Sequence, residues 1–217
     1  MSATAQPVPT PSPDQVRTYL AQWRGGDNEK IDAALRATFE AMPQNTDIGA
    51  VGVKVAALNS LYATGMLGVL QVARHIVSLD IDAAIDQPDM KRDVIERIAR
   101  VSFHGKMRRN YSFATKYCSF HRPDLYPIYD SLVAETLNTL LKQGEAFDDF
   151  APGERWRDDY AVWDRSISRF RAHYGLEDFS IREIDKYLWT LAKERNVMPA
   201  GQPSAAKEPT AARDSTA

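Results

Sequence analysis

Cysteine occurs once in the 217 residues, at Cys118. A lone cysteine excludes an internal disulfide and any cysteine-rich zinc site. The four histidines, His75, His104, His121 and His173, share no metal-ligand spacing, so neither a metal nor a cofactor is expected. Long apolar runs are missing as well. The most apolar stretch, Val51 to Val77, is broken by Lys54, Asn59, Ser60, Gln71, Arg74 and His75, and it cannot supply the ~20 apolar residues of a membrane span. The opening residues carry neither a cationic start nor an apolar run, so a soluble, cytoplasmic protein is expected. One interval also lacks acid. No Asp or Glu stands between Glu96 and Asp124, whereas Arg97, Arg100, Lys106, Arg108, Arg109, Lys116 and Arg122 do. The formal net charge of -2 hides this local excess, and local sign decides where a polyanion docks.

What is present is helical periodicity. Residues 1–13 hold Pro7, Pro9, Pro11 and Pro13 among polar residues and read as a disordered tail, as do residues 199–217. Between them residues 14–198 form one domain of about 185 residues, enough to bury roughly 70% of the surface of its unfolded chain. Val16, Tyr19, Leu20 and Trp23 repeat at helical spacing, as do Ile31, Ala34, Leu35 and Phe39 before Pro43. Residues 53–62 and 67–79 are apolar around most of their circumference, which predicts buried central helices. Residues 89–101, 129–141 and 163–174 carry amphipathic stripes, and Ser180 with Glu183 makes a capping box that opens a last helix. No convincing alternating strand and no internal repeat is found. The predicted fold is all-α.

One stretch, Asn110 to Asp130, differs from this scaffold. Lys116 lies on a predicted helix among Phe113, Ala114, Tyr117, Cys118 and Phe120. Burial disfavours an ammonium, so such a lysine can become a neutral, nucleophilic amine. Asp130 follows a Pro-punctuated loop, where it can cap the next helix and face back. There a carboxylate can stabilise the positive charge that develops when a glycosidic bond breaks. On spacing alone the competing reading is a lysine that reaches solvent and an aspartate that only caps.

The run Ser112, Phe113, Ala114, Thr115, Lys116, followed by Pro127, Ile128, Tyr129, Asp130, resembles a signature of the helix-hairpin-helix DNA glycosylase superfamily. In its 8-oxoguanine and endonuclease III branches a Gly-hydrophobic-Gly-x-Lys hairpin supplies a lysine nucleophile, and a Pro/Ala-hydrophobic-Asp segment supplies an essential aspartate. Ser112 and Ala114 stand where the hairpin glycines would be, and the lysine-to-aspartate interval is a few residues shorter. The resemblance covers roughly residues 53–139. It implies two helical lobes around a cleft, with Lys116 and Asp130 catalytic. Asn59 and Ser60 would match the loop pushed into the duplex in place of a flipped base. Lys106, Arg108, Arg109, Asn110, Ser112, Thr115 and His121 would contact DNA, whose phosphates attract cations and whose bases stack on aromatic rings.

The expectation is therefore a monomeric DNA glycosylase that flips and excises a modified or damaged base from double-stranded DNA. Oxidised purines, alkylated bases and bulky phage cytosines are candidate targets, the last implying antiviral defence. Two alternatives keep the fold: a nucleoside or tRNA-base hydrolase, and a non-catalytic nucleic-acid-binding module.

Overall fold

A computed structural model describes residues 7–62, 64–151 and 153–196. Among them the chain is mostly helical. The order is α1 (Pro13–Trp23), α2 (Asp27–Ala41), α3 (Ile48–Leu61), α4 (Val69–Ser78) and α5 (Lys91–Ala99), then strands β1 (Arg100–Phe103) and β2 (Lys106–Arg109), then α6 (Tyr111–His121), α7 (Ser131–Lys142), α8 (Tyr160–His173) and α9 (Ile181–Asn196). No helix is long and apolar enough to cross a membrane among the described residues.

The caps explain most boundaries. Ser12, Asp47, Asp130 and Asp159 each accept a main-chain N–H from the first turn of α1, α3, α7 and α8, satisfying donors that have no intrahelical partner. Ser180 and Glu183 exchange the two bonds of a capping box ahead of α9. Gly175 ends α8 at φ +64°, with the Leu176 N–H reaching back to the Arg171 carbonyl at 2.8 Å.

Three expectations change. The chain is not all-α: β1 and β2 pair antiparallel, Arg100 opposite Arg109 and Phe103 opposite Lys106. His104 and Gly105 both take positive φ, the geometry of a tight two-residue hairpin turn. Val101 and Phe103 point inward, but a strand of four residues is too short to announce itself by alternation. The N-terminal segment also behaves differently from a disordered tail. Val8 is 3% exposed, and its N–H and C=O both pair with the Gln143 side-chain amide at 2.8 Å, so residues 7–12 lie against the end of α7. Residues 1–6 and the second expected tail, 199–217, lie outside the described residues.

Lastly, α3 and α4 are not buried all round. Val53 of α3 and Leu70 of α4 are exposed, as is Leu67 just ahead of α4. A helix without a polar face cannot say from sequence which side faces out. The helix enclosed on nearly every side is α6, where every residue from Phe113 to Phe120 is buried. It packs against α2, α3 and α5, while α9 packs against α1 and α7.

Candidate functional site

The enclosure of α6 leaves Lys116 almost no route to solvent. Its side chain is 5% exposed. Nζ donates to Ser112 Oγ one turn back, at 2.6 Å, and to Asp130 Oδ2 at 3.5 Å. Asp130 divides its two oxygens: Oδ1 accepts the Leu132 N–H at 2.9 Å as the α7 cap, and Oδ2 faces the amine. Desolvation pulls the Lys116 ammonium below the ordinary lysine range, and Asp130 opposes that fall without reversing it.

Both side chains line one cavity of about 350 Å³, within the lower range of small-molecule sites. Tyr62 and Leu61 at the end of α3, Trp23 of α1 and Trp189 of α9 supply its apolar walls. The two indoles meet edge to face with centroids 5.5 Å apart. Lys186 and Lys193 lie over these rings, at 5.6 Å from Trp23 and 5.2 Å from Trp189.

Charges from α9 complete the lining: Arg182, Asp185 and Lys186. Arg182 is held by Asp32 and, at 3.0 Å, by the Tyr62 hydroxyl. Lys186 meets the other Asp32 oxygen at 3.0 Å. Asp32 is 1% exposed, and despite its burial these cations hold its carboxyl below the usual range. Asp185 is 9% exposed. Its two oxygens accept the Ile128 N–H at 3.3 Å, and Arg182 approaches at 3.9 Å. Burial lifts its carboxyl to about 7, against the pull of Arg182 and Lys116.

Of the residues singled out from sequence, the fold brings Lys116, Asp130 and Ser112 together. Thr115 is buried beside them, donating to the Ser112 carbonyl and accepting the Tyr129 N–H at 3.1 Å. The others lie elsewhere. Asn59 closes the turn after α3, bonding the Met66 main chain and Thr64, and Ser60 is exposed. Lys106 and Arg108 are exposed on β2. Arg109 is engaged by Glu96 and by the carbonyls of Arg157 and Asp158. Asn110 precedes α6 without capping it by its side chain. His121 lies on the far face of α6, 3.3 Å from Lys54 Nζ and 3.1 Å from Asn45 Oδ1. Burial holds its imidazole neutral, down to about 3. No cluster of side chains suited to a metal ion occurs among the described residues.

The residues that sequence reasoning missed come chiefly from α9. Arg182, Asp185, Lys186, Trp189 and Lys193 share one helical face at i, i+3, i+4, i+7 and i+11, a pattern that reads as a solvated face. The overlooked signal was Asp32, an acid on the same stripe as Leu35 and Phe39, where an unpaired charge would be costly.

The class these features define is a mostly helical protein with one amine- and carboxylate-lined cavity. The chain belongs to the HI_0787_N family, described as an N-terminal domain, whose match covers residues 15–125. That span holds Lys116 and ends before Asp130 and α9. A protein of Haemophilus influenzae (strain ATCC 51907 / DSM 11121 / KW20 / Rd), titled "Uncharacterized protein", is 34% identical over 141 residues, 63% of this chain. The match likewise spans 63% of that relative's length. No solved structure matches the chain.

Proposed function

We propose that the chain is an N-glycosylase that takes a modified or damaged base, flipped out of duplex DNA, into this cavity and cleaves its N-glycosidic bond. The observation that carries the reading is the meeting of a desolvated amine and a carboxylate, 3.5 Å apart, on a cavity walled by indole and phenol rings. Aromatic walls suit a planar base. Asp130 stabilises the positive charge that develops at C1′ as the base leaves. Lys116, desolvated and able to shed its proton, attacks C1′ or orients a water that does so. The two-lobed, glycosylase-like arrangement belongs to this proposal, as does antiviral defence as its setting.

A second reading has one observation in its favour. Lys106, Arg108 and Arg109 of the segment expected to grip phosphates do not line the cavity, and Arg109 is engaged internally. A hydrolase of free nucleosides needs no such grip. One experiment separates the two: incubation with duplexes carrying a panel of modified bases, phage-type glucosylated cytosine included, beside the matching nucleosides. Abasic sites in the duplex support the glycosylase, and base release from nucleosides alone supports the hydrolase. Release from neither contradicts both.

A further inference from the structure

Asp185 is the buried group in the cavity that the proposed chemistry leaves without a part. It reaches the site from α9, opposite the α6 and α7 residues that supply the amine and its partner. Its surroundings are specific. From the loop before α7 it receives one main-chain N–H, that of Ile128, shared between its two oxygens at 3.3 Å each. From α9 itself Arg182 stands at 3.9 Å, with its guanidinium committed to Asp32 of α2 and to the Tyr62 hydroxyl of α3. Lys116 of α6 lines the same cavity, near enough for the two charges to interact, and Lys186 points to Asp32. Two long hydrogen bonds and an engaged cation at 3.9 Å leave this carboxylate weakly satisfied for a buried acid. Asp130, by contrast, is held at both oxygens.

Resting on the glycosylase reading, we infer that Asp185 is the site's proton carrier: it takes the proton from the Lys116 ammonium, directly or through one water, and gives it to the departing base. The step balances. Transfer within the pair leaves Lys116 as a free amine and Asp185 as a carboxylic acid. The amine lone pair forms the bond to C1′ while the C1′–N bond breaks, and its electrons leave with the base. The Asp185 proton neutralises that nitrogen. What remains is an alkylated, positively charged Lys116 nitrogen beside two carboxylates, Asp130 and Asp185. Charge is conserved and no outside acid or base is needed. The same need defines the substrate class: a base that departs poorly as an anion and must be protonated as it goes. The lifted carboxyl, at about 7, agrees with a group that exchanges a proton near neutrality.

The test uses Asp185→Asn, which keeps an oxygen to accept the Ile128 N–H, and Asp185→Glu, which restores an acid. Two readouts are taken on the full chain. The first needs no DNA: methylation of Lys116 by formaldehyde and borohydride, followed by peptide mass spectrometry across pH. Removing the anion at 185 removes a group that favours the ammonium, so Lys116 in Asp185→Asn becomes more reactive at neutral pH. The second is single-turnover excision from the duplex panel. It falls about 100-fold in Asp185→Asn, recovers in part in Asp185→Glu, and loses the alkaline decline expected of wild type. The lost alkaline decline and the partial recovery in Asp185→Glu are the decisive results, because a merely structural lesion lowers excision without removing the pH dependence. Excision by Asp185→Asn at the wild-type rate overturns the proton-carrier role and leaves the glycosylase reading standing. A wild-type protein that excises nothing overturns both, even with the methylation shift intact.

Discussion

The protein buries two lysines in the neighbourhood of α6, and they are satisfied in different ways. Lys54, from α3, is 0% exposed. Its Nζ donates to the carbonyls of Met42 and Gln44 and to Asn45 Oδ1, at 2.8 to 3.0 Å. It sits against the rings of Phe39 and Tyr117. The three acceptors lie just past the C-terminus of α2, where a cation meets the negative end of the helix dipole. All its protons are engaged, and it does not line the cavity that holds Lys116. Lys116 has one short bond, one long one and an open volume beside it. Both amines are pulled below the lysine range by desolvation, Lys54 to about 8. A lowered pKa therefore does not distinguish them. The adjoining space does: Lys54 ties elements together, and Lys116 borders the cavity.

Substitution is the hardest test of that contrast. Lys116→Gln is expected to abolish borohydride trapping to duplex substrate, and Asp130→Asn to lower excision by at least 100-fold, with melting temperatures shifted by only a few degrees. Lys54→Met should reverse the pattern, costing about 3 kcal/mol in a urea titration by stranding buried oxygens, with single-turnover excision per folded molecule unchanged. Equal behaviour of the two lysines in both assays would end the distinction.

Acid sharpens it next. His121 beside Lys54 is held at about 3 in the fold against 6.5 unfolded. The unfolded chain thus binds more protons across that window, and stability drains away as pH falls from 6.5 towards 3. For Lys54 the same sign holds at the other end: burying its ammonium is unfavourable below about 8, and stability gains as pH rises from there towards 10.5. Urea midpoints between pH 7 and 4 should lose part of their slope in His121→Gln.

The smallest effect concerns the exposed cations. If duplex DNA docks along β2, Lys106→Glu and Arg108→Glu each weaken its binding a few-fold, and each flattens the salt dependence by about one unit of slope. An unchanged salt slope favours the free-nucleoside reading.

How much of this was legible beforehand depends on sequence distance. The Lys116 and Asp130 pair was readable through the glycosylase resemblance, whose motif spans only the fourteen residues between them. Helix caps at Asp130 and Ser180 were readable because their signals are local. Asp32 and Arg182 meet across 150 residues, and nothing local in α9 says that its charged face turns inward. Trp189 shares that fate: it becomes a cavity wall only once α1 brings Trp23 beside it. The β-hairpin escaped because its evidence is a two-residue turn, His104 and Gly105, with strands of four residues on either side.

The central claim is most directly tested by scoring abasic sites in duplexes that carry modified bases, with wild-type protein beside Asp130→Asn. Abasic sites at one or more modified positions, lost in the Asp130→Asn protein while it remains folded, are the predicted result. Base release by Asp130→Asn as fast as by wild type would contradict it.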